Sequence, residues 1–79
     1  MKARVKLMGT LPSYFTGTYS ASGIEVNLPD RATVADLVEM IGISKTRIGI
    51  VSINGKLARA LDAIPEDAEV KFLQKIAGG

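Results

Sequence analysis

One segment of this chain has the apolar spacing of an α-helix, and it stands between stretches whose apolar residues alternate as in β-strands. Four residues share the i, i+3, i+4, i+7 spacing of one buried helix face: Val34, Leu37, Val38 and Ile41. Thr33 is placed to cap the first turn, with Asp36 three residues later, and Gly42 to reverse the chain. The spacing predicts a helix from Thr33 or Val34 to Ile41. A helix this short is held by packing, so it requires a sheet to cover.

Strands are predicted on both sides of this helix. Five stretches have the alternation or the β-branched composition of strands: 1–8, 24–28, 48–53, 56–60 and 69–75. Asn54-Gly55 joins the third and fourth, because a type I′ turn needs positive φ at both positions. In the last strand, Val70 and Phe72 are predicted to face inward. The order β, β, α, β, short β, β predicts a single compact α+β domain.

Two connections differ in length and composition. Residues 9–23 are rich in Gly, Ser and Thr, and their apolar members Leu11, Tyr14 and Phe15 are expected to fold back over an open edge of the core. Tyr14 and Phe15 are interpreted as a lid on the core rather than a ligand site. Residues 62–68 contain Pro65 and are predicted to form a turn.

The absence of Cys and His excludes several kinds of chemistry. Without these side chains there is no Cys–His or Ser–His–Asp catalysis, no zinc hydroxide on His ligands and no iron–sulfur cluster on Cys. A Ser–Lys or carboxylate pair is still possible by composition. Four acids are interpreted as turn residues, with nothing to place two of them as a pair: Asp62, Glu66, Asp67 and Glu69. We therefore predict no catalytic residue and no metal site, and a free-standing enzyme is the least favoured class.

Charge and hydropathy limit the partners and the compartment. Ten Lys and Arg against eight Asp and Glu give a net charge of +2, and no basic run is interleaved with aromatic residues, so no nucleic acid partner is predicted. The apolar runs are too short for a transmembrane helix, and Lys2, Arg4 and Lys6 alternate with apolar residues instead of preceding an apolar block. No membrane association and no signal peptide are predicted, and a cytoplasmic location is expected.

The chain ends on Ile76-Ala77-Gly78-Gly79. Terminal glycines are common in disordered chain ends and in cloning remnants. The alternative is a slender arm of roughly 13–14 Å whose last two residues have no Cβ, so that it can enter a narrow channel of a partner. We predict a domain over residues 1–75 and a flexible tail over 76–79, with the α-carboxylate of Gly79 as its reactive group.

The chain resembles the ThiS/MoaD family of ubiquitin-like sulfur carrier proteins over essentially its whole length. The resemblance is carried by Asn54-Gly55, by the stretch 69–73 (EVKFL) and by the terminal 76–79 (IAGG). It implies the ubiquitin-like β-grasp fold: a mixed sheet of four to five strands with one main helix across one face. It also implies a carrier without catalysis of its own, which binds no cofactor.

The family's chemistry, carried over to this sequence, centres on its terminus. The resemblance implies that an E1-like enzyme uses ATP to adenylate the Gly79 carboxylate and that a sulfur donor converts it to a thiocarboxylate. Gly78 belongs to the same reactive terminus, and Ala77 and Ile76 are expected to lie in the partner's channel. The long 9–23 connection resembles the small subunit of molybdopterin synthase, whereas the terminal 76–79 resembles the thiamine branch. The expected acceptor is the large subunit of molybdopterin synthase, ahead of thiazole synthase.

A docking patch is predicted on the sheet face opposite the helix. It consists of Leu73 and Ile50 with Lys71 and Lys75 as a basic rim. The alternative is that Leu73 is one of the isolated exposed leucines found on most proteins. Lys2, Arg4 and Lys6 are interpreted as a solvated face, with steering of an acidic partner as the other possibility.

Two other functions fit the same sequence. The first is a non-catalytic β-grasp interaction module whose terminal glycines are incidental. The second, less favoured, is a small RNA-binding domain.

Overall fold

The computed structural model describes residues 1–76, which form a five-stranded mixed sheet with one α-helix. The elements are β1 (Lys2–Leu7), β2 (Ile24–Asn27), α1 (Val34–Ile41), β3 (Ile48–Ile53), β4 (Lys56–Ala58) and β5 (Ala68–Gln74). Two short 3-10 helices span Leu11–Tyr14 and Lys45–Arg47. The strand order is β2-β1-β5-β3-β4, with β1 and β5 parallel and the other neighbours antiparallel. The predicted element order and the β-grasp fold are confirmed.

The core lies between α1 and one face of the sheet. Val5, Val70 and Phe72 on the two central strands are fully buried, and Leu37 of α1 belongs to the same buried cluster. The other helix residues of this cluster are Val34 and Ile41. Transfer of a Val, Leu or Phe side chain from water to the core contributes about 1.5–3 kcal/mol to the free energy of folding, before conformational entropy is subtracted. The burial of Val70 and Phe72 confirms the prediction that these two side chains face inward.

Both ends of α1 follow the sequence signals. The Thr33 hydroxyl accepts from the Asp36 backbone N–H at 3.3 Å, while the Asp36 carboxylate accepts from the Thr33 N–H at 2.9 Å. These reciprocal bonds form a capping box. Gly42 ends the helix in the left-handed region with φ 81°, and its N–H donates to the Val38 carbonyl.

The β3–β4 hairpin is as predicted at its turn and shorter than predicted at its far end. Asn54 and Gly55 both have positive φ, 51° and 85°. Strand β4 ends at Ala58 instead of residue 60, because the chain then leaves the sheet for the N-terminus of α1. There the Ala60 carbonyl accepts from the Ala35 N–H at 2.9 Å, which satisfies an otherwise unpaired donor of the first helical turn.

The long 9–23 connection corrects the prediction of an aromatic lid. Leu11 is fully buried and Phe15 packs against the core, as expected. Tyr14 does not cover the core: it is 42% exposed, and the Arg47 guanidinium lies 3.9 Å from its ring centroid. The open edge is instead covered by Tyr19, whose hydroxyl accepts from the Leu7 N–H at 2.9 Å and lies 3.2 Å from the Leu7 carbonyl. That edge is available because β2 pairs with β1 only as far as Val5.

Among residues 1–76, no helix combines the length and the apolar character needed to cross a membrane.

Candidate functional site at the C-terminal end of the sheet

The end of β5 is anchored from two sides before the chain leaves the sheet. The Gln74 side-chain oxygen accepts from the Thr10 N–H, and the Lys75 N–H donates to the Arg47 carbonyl at 2.9 Å. Ile76, the next residue, is 70% exposed. The chain therefore leaves the sheet immediately after Lys75. The predicted site residues Ala77, Gly78 and Gly79 lie outside the described residues, as does most of the predicted flexible tail.

Gly49 permits the close approach of β3 to this anchored segment. The β3–β5 register shifts between Ile48 and Ile50, which leaves Gly49 as the irregular position. A Cβ on Gly49 would lie 2.9 Å from the Lys75 Cα and 3.0 Å from the Gln74 carbonyl oxygen. Both are backbone atoms, so a side chain here would displace the point at which the tail begins.

The two apolar residues of the predicted docking patch are direct neighbours. Ile50 pairs with Leu73 across β3 and β5, and they are 44% and 37% exposed. The adjacent pair, Val51 and Phe72, faces the core, so Ile50 and Leu73 face away from α1. Ile48, two residues before Ile50 in β3, packs against the core, because the register shift at Gly49 turns it to the opposite face from Ile50.

Sequence reasoning missed a third apolar residue on this face. Leu57 of β4 pairs with Ser52, which in turn pairs with Lys71, so all three side chains share the outward face. Leu57 is 80% exposed. The signal was present, because a two-residue Asn54-Gly55 turn fixes the register and places residue 57 opposite residue 52.

The cations on the β1 side of this face are paired with carboxylates. Glu25 lies 3.6 Å from the Lys2 ammonium and 3.5 Å from the Arg4 guanidinium. Glu69 lies 3.7 Å from the Lys6 ammonium and 3.8 Å from the Lys71 ammonium. All six side chains are at least one-third exposed, so each pair contributes about 0–1 kcal/mol. Their main effect is to reduce the local positive field of Lys2, Arg4, Lys6 and Lys71.

The turn acids have structural contacts. Glu66 accepts from the Lys2 backbone N–H at 2.6 Å, and this hydrogen bond lowers the pKa of the Glu66 carboxyl. The Asp62 carboxylate accepts from the Arg59 N–H at 2.8 Å. Within residues 1–76, no three acidic side chains converge on a point that could hold a metal ion.

A groove of about 810 Å³ runs between α1 and the β3–β4 hairpin. Val34 and Val38 form part of its helix wall, and Ile48 and Val51 line it from β3. Of the predicted site residues in the described part of the chain, Ile50 alone lines it, and Leu73, Lys71 and Lys75 lie elsewhere. The groove therefore reaches the end of β5 through Ile48 and Gly49, while most of the predicted docking patch lies outside it.

Comparisons with solved structures agree with this architecture. SAMP1 from Haloferax volcanii matches with a TM-score of 0.69 and 20% identity over 100% of both chains. A putative molybdopterin converting factor, subunit 1, from Pyrococcus furiosus matches with a TM-score of 0.72 and 17% identity, covering 95% of this chain and 98% of the other. At these identities the matches establish the fold. No curated protein matches the sequence significantly.

The family is assigned from the sequence, because the structural matches at these identities establish only the fold. The model of the ThiS family matches residues 13–79, which include the hairpin, the last strand and the terminal glycines. The match spans most of the chain, and so the chain belongs to the ThiS family of small sulfur carriers.

Proposed function

We propose that this chain carries sulfur on the α-carboxylate of Gly79 and that catalysis resides in its partners. A carboxylate oxygen attacks the α-phosphorus of ATP in an E1-like enzyme, and pyrophosphate leaves. A hydrosulfide equivalent from the sulfur donor then attacks the carbonyl carbon of the acyl-adenylate and expels AMP, which leaves a thiocarboxylate. The carboxyl group requires this activation because a free carboxylate is a poor electrophile.

The observation that carries the proposal is the family match, which extends through residue 79. The described structure is consistent with it, because the chain is anchored at Lys75 and Ile76 is largely exposed. Gly78 and Gly79, with no Cβ, suit passage through a narrow channel, and Ala77 and Ile76 would follow them into the partner's channel. In this proposal, partners bind the domain over 1–75, and the tail over 76–79 enters their channels.

The decisive experiment is intact-mass spectrometry of the chain after incubation with its activating enzyme, ATP and a sulfur source. The expected gain is the mass difference between sulfur and oxygen, located on the C-terminal peptide. A variant lacking Gly79 serves as the control and is expected to gain nothing. An unchanged mass of the intact chain, with an activating enzyme shown to work on another carrier, contradicts the proposal. Full cellular function of the truncated form favours the interaction module with incidental glycines.

We also propose that Ile50, Leu73 and Leu57 form the apolar centre of the partner-docking patch, with Lys71 and Lys75 at its rim. The direct Ile50–Leu73 pairing on the face away from α1 supports this, since a small apolar centre with a polar rim is the usual anatomy of an interface. Leu73→Asp is expected to raise the KM for adenylation about tenfold or more, a typical loss for a central contact. Leu61→Asp is the matched control, because Leu61 is 84% exposed and lies outside the sheet. Equal KM values for the two variants contradict the patch.

For the acceptor, we propose the large subunit of molybdopterin synthase over thiazole synthase. The long 9–23 connection supports this choice, and the fold match to the Pyrococcus furiosus protein is consistent with it. Deletion of the gene in its own host is expected to abolish molybdopterin-dependent enzyme activity and leave growth without thiamine intact. The reverse phenotype assigns the chain to the thiazole branch.

A second candidate is attachment of Gly79 to lysines of other proteins, as a protein modifier. The observation in its favour is the full-length fold match to SAMP1, whose other structure is described as a small archaeal modifier protein. Isopeptide-linked conjugates of an affinity-tagged chain, lost when Gly79 is deleted, support this function.

A further inference from the structure

Three cations near the start of the tail have no acidic residue within five positions in the sequence: Lys45, Arg47 and Lys75. No Asp or Glu occurs between Glu39 and Asp62 or after Glu69. Strand β3 runs antiparallel to β5, so the residues just before β3 lie at the same end of the sheet as the start of the tail. The sequence therefore concentrates positive charge at this end: Lys45, Arg47 and Lys75.

Local contacts hold two of these cations together without neutralising them. The Lys75 N–H and the Arg47 carbonyl are joined at 2.9 Å, so the two residues are adjacent in space. The Arg47 guanidinium lies over the exposed Tyr14 ring at 3.9 Å, a cation–π contact that orients the group and leaves its charge in place. All three residues are exposed.

The ion pairs place carboxylates elsewhere. Within residues 1–76, every ion pair involves Glu25 or Glu69, and none includes Lys45, Arg47 or Lys75. Lys45 lines the groove that also contains Asp36 and Glu39, but it lies within 4.0 Å of neither carboxylate. The acids Glu66 and Asp67 precede β5 and lie at its other end, about 20 Å away at the usual rise per strand residue.

From this juxtaposition we propose that Lys45, Arg47 and Lys75 form a basic collar around the start of the tail, which docks against an acidic rim on the activating enzyme. The inference rests on the proposed function, because the collar contacts the same activating enzyme that receives the tail. Complementary charge at this point would orient the tail toward the channel during encounter. The steering that the sequence suggested for Lys2, Arg4 and Lys6 is thereby assigned to cations next to the end of β5, which are not among those that Glu25 and Glu69 pair.

The test is the kinetics of adenylation, followed as ATP–pyrophosphate exchange with the activating enzyme that accepts the intact chain. Arg47→Gln combined with Lys75→Gln is expected to raise KM roughly 2- to 25-fold at low salt, with kcat unchanged, by the usual range for two exposed charge contacts. The KM of the intact chain is expected to rise with salt, and that of the double variant much less. Arg31→Gln with Lys56→Gln is the control, since it removes the same charge from the far end of the sheet. Arg47→Lys is expected to retain most of the effect.

The outcomes distinguish failure of the collar proposal from failure of the proposed carrier function. If the intact chain is adenylated but the collar and control variants share its KM and salt dependence, the collar is refuted while the carrier function stands. If the intact chain is not adenylated at all, both fail. A different outcome is that an RNA oligonucleotide retains the intact chain in a salt-sensitive way and does not retain the collar variant. If the KM for adenylation is also unchanged in that variant, the collar binds nucleic acid and the proposed docking to the activating enzyme is wrong. Thermal unfolding of each variant verifies folding, and Arg47→Gln alone, which leaves the docking-patch rim intact, repeats the test if the double variant is unstable.

Discussion

Replacing Gly49 with alanine is expected to push the start of the tail away from β3. The new Cβ would lie 2.9 Å from the Lys75 Cα, whereas ordinary van der Waals contact begins at 3.4 Å, so the strands must separate by at least several tenths of an ångström. The Lys75 N–H···Arg47 bond, now 2.9 Å, would then approach the limit of a normal hydrogen bond. Overpacking of this kind costs about 1–3 kcal/mol.

Denaturant unfolding measures this cost, and the expected loss corresponds to a fall in Tm of about 5–20 °C for a domain of this size. Amide chemical shifts of Lys75 and Ile76 report the displacement itself. Gly42→Ala is the matched control: its φ of 81° strains an alanine, yet no atom lies within 4 Å of the added Cβ. The control is expected to lose about 1–2 kcal/mol without moving the tail. Unchanged shifts at Lys75 and Ile76 in Gly49→Ala, or equal shifts in the control, would refute the reasoning.

Three further predictions concern the domain that carries the tail. Thr33→Ala removes the hydroxyl that accepts from Asp36 and is expected to lower the free energy of unfolding by about 0.5–2 kcal/mol in urea titrations. Phe72→Ala empties a fully buried position and is expected to lower the free energy of unfolding by about 3–5 kcal/mol, measured by urea titration followed by circular dichroism. The Lys2 N–H lowers the pKa of Glu66, so its charged form stabilises the folded chain above the ordinary pKa of 4.5, and this stabilisation is lost as pH falls through the lower folded value. Glu66→Gln should therefore differ from the parent in unfolding midpoint at pH 7, and the difference should shrink as the pH falls below 4.5; a constant difference on acidification contradicts the assignment.

Local signals in the sequence were sufficient wherever the interaction they describe is itself local. Thr33, Asp36 and Gly42 bound a helix through bonds that span three or four residues. The Asn54-Gly55 pair fixes a turn because its backbone tolerates positive φ at both positions. Alternation placed Val70 and Phe72 inward, because side chains of a strand point to opposite faces. The order of these elements predicted a compact α+β domain, and the family resemblance predicted the β-grasp arrangement.

Contacts between residues far apart in the chain depended on the tertiary structure. Tyr19 rather than Tyr14 covers the open edge of β1, since only the folded loop determines which hydroxyl reaches Leu7. Strand β4 stops at Ala58 because the first turn of α1 needs the carbonyls that follow it.

The sequence by itself determined that no Cys or His is available for chemistry, and it led to the proposal that the tail over 76–79 carries the reactive group. The tertiary structure decided what surrounds the point where that tail begins. Antiparallel pairing of β3 with β5 brings Arg47 beside Lys75 and Ile50 beside Leu73, although 23 or more positions separate the members of each pair. Periodicity assigns a residue to a face of its own strand, but it carries no information about which strand lies next to it, because that choice depends on how the whole core packs.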